Sequence, residues 1–527
     1  MSSAPISIDS NFWLTYQFST EDLDFIKNTL FELETPQSIE VLLRLTIEKR
    51  VAIEKKHLSS SKSNAGRLYL PQDTHTPGEF LIFSRHNWER GQVKSIRPAN
   101  NPGMSPFQVI DVEFENGLIR SFASYLPEHE LNNSQDTLPG MEYLDAKKIL
   151  QDFTTPLTNN LVAAMEQDED LVTVAALWFH RSLLMDINVG HLNLAEAILD
   201  MAGGGPLTTA NLIDQLDLKG MANQVLLEFS LNQALHDDSR FDEVGPAGEV
   251  LWFLEKLEPE DVRKTPSYLQ YPEEEVDGSG FSVQMMRAIS QLDDDCFDGT
   301  EVKEEKEVTL VLTFPHWRAG TLPLNCRTDH LFPTSFESPR IKFEFIDQDT
   351  KTLIPGWVVR PHHYVAGLRK WYLDNGLLPG SVLTIYQADP DGKVLVNANK
   401  RRPAKEWVRT ALVGADGGVV LALLKQQINT QYDEQMTTAI PDIDALDRSW
   451  SQGSKSRQAT DQAILHIARE LTKLNPQGNL HAIELFATVN VIRRIPLAVI
   501  FKHLVQDPQF THVGDLYFRL NEETSQE

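Results

Sequence analysis

Apolar positions along this chain change their period several times, and each change predicts a different kind of element. Between 191 and 254 they recur three and four residues apart in three successive segments, and then alternate in two short segments. The first spacing is that of a helix buried on one side, and the second is that of a strand. The pattern predicts three helices followed by a two-stranded ribbon, which is the order of a winged helix-turn-helix.

The same order of segments returns in a less regular form at about 460–520. The run Gly205 to Thr208 precedes the second helix of the first copy, and Gly478 to His481 takes the same place in the second. The closing ribbons are Arg240 to Leu254 and Gln509 to Leu520. These residues resemble the HARE-type winged helix, which occurs in RNA polymerase delta subunits, some restriction endonucleases and Polycomb-associated chromatin proteins. The resemblance implies a winged-helix fold for both segments.

Shorter apolar patterns divide the rest of the chain into further domains. Residues 1–75 read as helical, and Pro36 stands six residues before Leu42, as Pro206 does before Leu212. This spacing predicts either a third helix-turn-helix or a simple helical hairpin. Four or five short strands with an Asn116-Gly117 turn predict a small SH3-like or Tudor-like β-barrel at 78–135.

The second half of the chain is predicted to follow the same alternation of helical and strand-rich parts. We predict a winged helix at 160–256, an acidic linker at 257–307, a β-barrel with one inserted helix at 308–450, and a C-terminal winged helix at 458–522. Residues 171–185 are predicted as a helix that packs on the first clear winged helix. The linker could alternatively be a tether with a short docking helix around Met285. The fold class is therefore α+β and multidomain.

The charge balance restricts the ligands that this chain can bind. Its 527 residues include 75 Asp and Glu against 48 Lys and Arg, a formal charge of −27. Such a field repels nucleic acid at long range, so binding would need a local basic patch. The alternative is that the charge serves solubility. The two cysteines, Cys296 and Cys326, form no metal-binding spacing, and we predict a cytoplasmic protein that does not enter a membrane.

Common catalytic motifs do not occur in the sequence. We find no Walker loop, dinucleotide-binding glycine pattern, Gly-x-Ser-x-Gly turn, His-Glu-x-x-His or kinase signature. The fifteen histidines show no metal-ligand spacing. We therefore predict a protein that is not an enzyme and that needs neither a cofactor nor a metal.

One segment concentrates cations around an aromatic ring. The cluster consists of Lys400, Arg401, Arg402, Lys405, Trp407 and Arg409. If the segment is a strand, Lys405, Trp407 and Arg409 share one face, where phosphate could be held and a base stacked. The alternative is an exposed loop with a packed tryptophan.

Two further groups of cations are candidates for nucleic-acid contact. In the last winged helix they are Arg493, Arg494 and Lys502, at or within the third helix. In the small barrel the weaker candidates are Arg85, Trp88, Arg90, Lys94 and Arg97. The corresponding third helix of the earlier copy, predicted at 221–238, contains no Lys or Arg, so we expect it to be a poor DNA reader.

These patterns favour a DNA-binding or transcription-associated regulatory protein that uses its winged helices and the basic-aromatic patch of its larger barrel. A second interpretation is an acidic interaction scaffold, similar to a delta subunit, that docks on RNA polymerase or another basic protein without contacting DNA. A third, suggested by the restriction enzymes that carry this winged helix, is the specificity subunit of a defence or restriction system.

Overall fold

The computed structural model of this protein combines helices with several separate β-sheets. The residues that it describes are 12–65, 67–86, 89–99, 101, 105–133, 144–218, 223–271, 274–292, 305–335, 338–387, 392–414, 418–453 and 460–521. They fall into two compact units, 1–185 with 225–229, and 186–224 with 230–527. The prediction of an α+β multidomain fold is confirmed. Within these ranges, no helix has the length and apolar character needed to cross a bilayer.

The first unit contains a winged helix with a second domain inserted into it. Its elements are α1 (Thr20–Leu33), β1 (Gln37–Ser38), α2 (Ile39–Ala65), β2 (Arg67–Leu68), β3 (Phe80–Phe83), β4 (Glu89–Pro98), β5 (Gln108–Phe114), β6 (Ile119–Ser124), α3 (Ala146–Met165), β7 (Leu171–Val174) and β8 (Leu177–His180). Strands β1, β8 and β7 form one sheet in that order. Helices α1, α2 and α3 share a core with this sheet. The candidate helix-turn-helix at 1–75 is therefore half of a winged helix that α3, β7 and β8 complete.

The segment predicted as a helix at 171–185 is instead the hairpin β7–β8, which pairs Leu171 with His180 and Val174 with Leu177. Its two-residue turn consists of Ala175 and Ala176, with φ values of 54° and 60°. Tight hairpin turns of this kind require positive φ at both positions, and sequences normally supply Asn and Gly there. Two alanines carry no such signal, so the helical prediction for this segment is wrong.

The inserted domain between α2 and α3 is a five-stranded sheet in the order β2, β3, β4, β5 and β6. Tyr69, Phe83, Phe114 and Phe122 cluster in its core, with ring centroids 4.3 to 6.0 Å apart. The predicted turn at Asn116 and Gly117 joins β5 to β6, and Gly117 has a φ of 77°. The strands expected at 78–135 are thus present.

The second unit contains the larger sheet and two more winged helices, except that residues 225–229 of the first of these group with the first unit. Its elements are α4 (Val189–Met201), β9 (Leu207–Thr208), α5 (Thr209–Gln215), α6 (Gln224–His236), β10 (Phe241–Glu243), β11 (Leu251–Leu254), α7 (Glu260–Arg263), α8 (Val283–Gln291), β12 (Glu307–Val311), α9 (Phe314–Ala319), β13 (Thr321–Pro323), β14 (Arg340–Asp347), β15 (Leu353–Val359), β16 (Tyr364–Ala366), α10 (Arg369–Asp374), β17 (Val382–Gln387), β18 (Val394–Asn397), β19 (Lys400–Val413), β20 (Val419–Thr430), α11 (Ile443–Gly453), α12 (Thr460–Leu474), β21 (Asn479–His481), α13 (Ala482–Ile492), α14 (Leu497–Gln506), β22 (Phe510–Gly514) and β23 (Tyr517–Leu520).

The middle winged helix, α4 to β11, and the last winged helix, α12 to β23, repeat the topology of the first. Their sheets run in the orders β9, β11, β10 and β21, β23, β22, which match β1, β8, β7. In each case the strand before the second helix pairs with the last strand of the hairpin. The middle winged helix begins at α4 rather than at 160, because α3 and the hairpin β7–β8 belong to the first one.

The larger sheet has seven strands in the order β12, β17, β18, β14, β15, β16 and β13, which gives it a partly barrel-like form. All its neighbouring strands are antiparallel except β14 and β18. One inserted helix was predicted for this domain, whereas the short helices α9 and α10 both lie between its strands. Strands β19 and β20 form a separate two-stranded ribbon.

The acidic segment predicted as a linker at 257–307 packs on the rest of the second unit at several of the residues that the structure describes. Tyr268 donates a hydrogen bond to Asp447 of α11, and Met285 of α8 is 1% exposed within the core of the last winged helix. The apolar residues of α8 recur at helical spacing, and their burial holds the segment in place although acidic residues surround it in the sequence. The structure therefore agrees with the alternative of a short docking helix; residues 293–304 lie outside the described part of the chain.

Candidate nucleic-acid interface

The basic-aromatic cluster lies on β19, at the open end of the ribbon β19–β20. The two strands pair from Val413 and Val419, beside the turn, to Lys400 and Thr430, with a bulge between Lys400 and Ala404. The end next to the turn is anchored, because Ala411, Val419 and Leu421 are buried in the core that contains α12. Glu470 of α12 also accepts a hydrogen bond from the backbone N–H of Leu421, at 3.3 Å. The opposite end is held as well, because Ile428 and Thr430 are 1% and 0% exposed, so the ribbon is fixed at both ends and exposed in its middle.

Trp407 is the one aromatic residue of strands β19 and β20, and its side chain is 65% exposed. It lies directly opposite Lys425 of β20, whose Nζ is 5.2 Å from the ring centroid. Lys405 and its partner Gln427 lie on the same face, two residues along the strand. An exposed indole between two lysines is an arrangement that can stack on a base while the cations meet phosphate.

The other cations of the cluster differ in how much of their charge is available. Within the described part of the chain, Arg402 and Lys405 are exposed and have no hydrogen-bond or ion-pair partner. Lys400 pairs with Asp349 at 3.1 Å in an exposed contact. Arg401 donates to Glu406 at 3.1 Å and covers the ring of Tyr432 at 4.8 Å. Arg402, Lys405 and Trp407 are therefore available to contact a ligand. Lys400 is available only when its weak surface ion pair with Asp349 breaks.

Arg409 does not belong to this surface, which corrects its prediction as a contact residue. It is 7% exposed, donates to Thr438 Oγ1 at 3.2 Å and to the Gln435 carbonyl, and lies 3.7 Å from Glu484 of α13. Burial lowers the pKa of its guanidinium. Alternation along β19 does place Arg409 on the face of Trp407, but the segment around Thr438 covers that face at Arg409. Its role is to join the ribbon to the last winged helix.

The three cations predicted in the last winged helix are also poorly placed to read DNA. Arg494 is 1% exposed and donates to Asn490 at 3.2 Å. Arg493 is half-buried at the end of α13. Lys502 of α14 donates to the Glu274 carboxylate at 2.8 Å and to the Glu275 carbonyl at 3.2 Å. Arg493 and Arg494 lie in the turn between α13 and α14, and Lys502 is engaged by the acidic segment before α8.

The weaker candidates on the inserted five-stranded sheet are mostly engaged by their neighbours. Lys94 pairs with Glu113 at 2.7 Å, and Arg97 lies 3.9 Å from Asp111. Arg90 covers the ring of Phe80 at 3.9 Å. Arg85 is exposed, and Trp88 lies outside the described residues. The local acids therefore offset much of the positive charge of this sheet.

Lys425 is the residue of the interface that sequence reasoning missed. It stands eighteen positions after Trp407 along the chain, and only the register of the ribbon brings the two side chains together. The glycine-rich run from Gly414 to Gly418 is the signal that could have revealed it. Such a turn between two apolar segments predicts a hairpin, and a hairpin pairs residues at a constant sum of positions.

Neither a protein-family model, nor a curated protein, nor a solved structure matches this chain.

Proposed function

We propose that this protein is a DNA-binding, transcription-associated regulatory protein, and that the exposed middle of the ribbon β19–β20 is its main nucleic-acid contact. The observation that carries the proposal is Trp407, exposed between Lys405 and Lys425 on one face of the ribbon. Arg402 adds a further available cation next to the bulge. The chain has no catalytic motif that would favour an enzyme.

Two physical properties of the ribbon support this proposal. A two-stranded antiparallel ribbon has the width that the major groove of DNA admits, and its lysines can meet the phosphates on either side. An exposed tryptophan can also stack on an unpaired base, which favours single-stranded segments. Because the whole chain carries a charge of −27, binding depends on these few cations, and it should weaken with salt in proportion to the number of phosphates that they contact.

The middle and last winged helices are proposed as HARE-type modules that contact protein rather than DNA. The third helix of the middle copy, α6, contains no Lys or Arg. The third helix of the last copy contains Lys502, which is paired with Glu274. Recognition helices that read DNA present cations and amides to phosphates and base edges. Neither helix does so, and protein docking suits both better.

The proposal is tested by fluorescence anisotropy of a labelled duplex and a matching single strand, titrated with the full chain at several salt concentrations. We expect the variant Arg402→Ala/Lys405→Ala to weaken binding and to reduce the slope of log affinity against log salt by about two, one for each lost phosphate contact. Trp407→Ala should weaken single-strand binding by roughly 1–3 kcal/mol, because one stacking platform is lost.

The matched control is Lys264→Ala/Lys306→Ala, which removes two exposed lysines outside strands β19 and β20 and should leave affinity and slope within error of the wild type. Unchanged binding in the Arg402/Lys405 variant would contradict the assignment of the ribbon.

A second candidate function is the acidic scaffold that docks on RNA polymerase or another basic protein. It is favoured by the charge of −27 and by the absence of basic residues from α6. Failure of the full chain to bind either nucleic acid at low salt, together with salt-dependent binding to a purified RNA polymerase, would support this candidate instead.

A further inference from the structure

The third helix of the last winged helix, α14, is covered by a segment from the acidic region of the same chain. This covering segment consists of residues 274–292 and contains α8. Phe281 makes an edge contact with Phe501 of α14, with ring centroids 5.9 Å apart. A Cβ atom at Gly280 would lie only 3.0 Å from Val505 Cγ1, so the backbone approaches α14 closely at that point.

The covering segment is built like an amphipathic peptide ligand. Met285, Ala288, Ile289 and Leu292 recur at helical spacing and pack on the core of the last winged helix. The opposite side of α8 carries Val283 and Met286, which are 82% and 52% exposed. Among these side chains only Met285 is fully buried, at 1% exposure. It acts as the central anchor of the contact.

An ion pair orients the segment at its beginning. Lys502 Nζ lies 2.8 Å from Glu274 Oε1 and 3.2 Å from the Glu275 carbonyl oxygen. Both side chains are about one-third exposed, so the pair contributes direction and selectivity more than affinity. The order of features along the segment is therefore acidic pair, aromatic residue, and short helix anchored by methionine.

The helix of this segment depends on its contact with the winged helix. It spans nine residues, Val283–Gln291, which is shorter than the roughly 12–15 residues at which isolated helices become marginal in water. Ser282 provides an N-terminal cap by accepting from the Met285 N–H. The segment thus orders as it docks, as short helical motifs do when they bind a groove.

We propose that the α14 face of the last winged helix is a docking site for a helical peptide, which residues 274–292 occupy within the chain. The ligand class is an amphipathic helix that follows an acidic pair and an aromatic residue. A partner protein carrying such a segment competes with the chain's own copy for the site. The α14 side chains that meet the segment favour peptide over DNA, because Phe501 and Val505 are apolar.

The test uses the full chain and a fluorescent synthetic peptide with the sequence of residues 274–292. In the wild type the attached segment occupies the site, so the peptide should bind weakly. Met285→Asp places a charge in the buried anchor position and displaces the attached segment. We expect this variant to bind the free peptide at least about tenfold more tightly than the wild type does, because the binding-competent fraction rises.

Two matched variants sharpen this test. Met286→Asp changes the exposed neighbour of Met285 and should bind the peptide as weakly as the wild type. Lys502→Glu in the Met285→Asp background should weaken peptide binding about threefold, and a peptide with Glu274→Lys should recover that loss. Recovery by the charge reversal distinguishes a specific pairing from general destabilisation.

Hydrogen exchange of the unmodified chain tests the same proposal if Met285→Asp prevents folding. The amides of α8 should exchange through local opening, at least about a hundredfold faster than those of α13. Excess free peptide should change the exchange of α14 only slightly, because one copy replaces another.

Three results would overturn the proposal. The first is equal peptide binding by the wild type and by folded Met285→Asp, and the second is equal protection of α8 and α13. The third is duplex DNA binding that Met285→Asp gains and Lys502→Glu abolishes, since the face would then read DNA. The first two readouts involve no nucleic acid, and the third is a gain over the binding of the wild type, so failure of this proposal is distinguishable from failure of the nucleic-acid binding proposed above.

Discussion

The middle and last winged helices share one topology but hold it together with different internal hydrogen bonds. In the middle copy a buried asparagine of the third helix, Asn232, accepts hydrogen bonds from Thr209 Oγ1 and Trp252 Nε1. In the last copy the buried asparagine is Asn490, on the second helix. Its side chain makes four hydrogen bonds around the turn that leads into α14. The apolar pattern alone therefore specifies the topology, while the polar core is particular to each copy.

The two copies also differ in how they join the rest of the second unit. Arg340 of the seven-stranded sheet lies 2.8 Å from Asp242 and 2.8 Å from Glu258, next to the middle copy. Arg409 of the ribbon faces Glu484 of the last copy at 3.7 Å. Burial raises the pKa of the Glu258 carboxyl to about 8, and the nearby Asp242 acts in the same direction. The first of these two junctions therefore holds a group expected to titrate near neutral pH.

The largest effect is expected for Asn490→Leu in the last copy. This change keeps the approximate volume but removes the acceptor and donor of four buried hydrogen bonds, so it should cost roughly 3–4 kcal/mol. Hydrogen exchange of residues 460–521 during urea unfolding measures the loss. Thr511→Val, at an exposed position of β22, is the control and should cost less than about 0.5 kcal/mol. A loss below about 1 kcal/mol for Asn490→Leu would show that the network is dispensable.

The second effect is a pH dependence that Glu258→Gln should remove. The folded carboxyl, with a pKa of about 8 against an ordinary 4.5, takes up a proton more readily than the unfolded one. Its contribution to stability is therefore complete below about pH 4.5 and is lost as the pH rises towards 8. Between pH 5 and 8 the wild type should therefore lose stability through this group.

Urea unfolding of the second unit at several pH values measures that slope. Glutamine imitates the protonated carboxyl, so Glu258→Gln should match the wild type near pH 5 and exceed it at pH 8. Glu260→Gln, which changes an exposed neighbour, should keep the slope of the wild type. A slope that persists in Glu258→Gln would assign the pH dependence to another group.

The smallest effect is expected for Asn232→Leu in the middle copy. It removes the shared acceptor of Thr209 and Trp252, and should cost about 2 kcal/mol, less than Asn490→Leu because fewer hydrogen bonds are lost. Adding Thr209→Val should recover part of this cost, since a buried hydroxyl without an acceptor is then absent. Hydrogen exchange of residues 189–254 reports both values. Equal losses in the two copies would remove the distinction drawn between their polar cores.

Most of the helices and strands could be predicted from the period of apolar residues, and the failures have local causes. The hairpin β7–β8 was missed because Ala175 and Ala176 adopt positive φ without the usual Asn and Gly. The first winged helix was only half predicted, since a five-stranded sheet separates its second and third helices along the chain. A pattern search over neighbouring residues cannot join elements that such an insertion separates.

The ribbon shows how far the same reasoning extends at the candidate site. Alternation along β19 correctly places Lys405 and Trp407 on one face. It also places Arg409 there, and that side chain is buried beneath Thr438 and beside Glu484. Lys425 joins the face from β20, although nothing near Trp407 in the sequence indicates it. Alternation along a strand predicts on which face of the strand a side chain lies. Whether that side chain is buried depends on which other segments pack against this face.

The sequence by itself determined the winged-helix order at both ends of the second unit and the concentration of cations at 400–409, because period and composition are local properties of a chain. Only the tertiary structure decided which of those cations are available. Lys502 meets Glu274 from 228 residues away, and Arg409 meets Glu484 from 75 residues away. Pairing and burial arise from contacts between segments that are distant in the sequence. A local pattern of residues does not indicate which distant segment will pack against it.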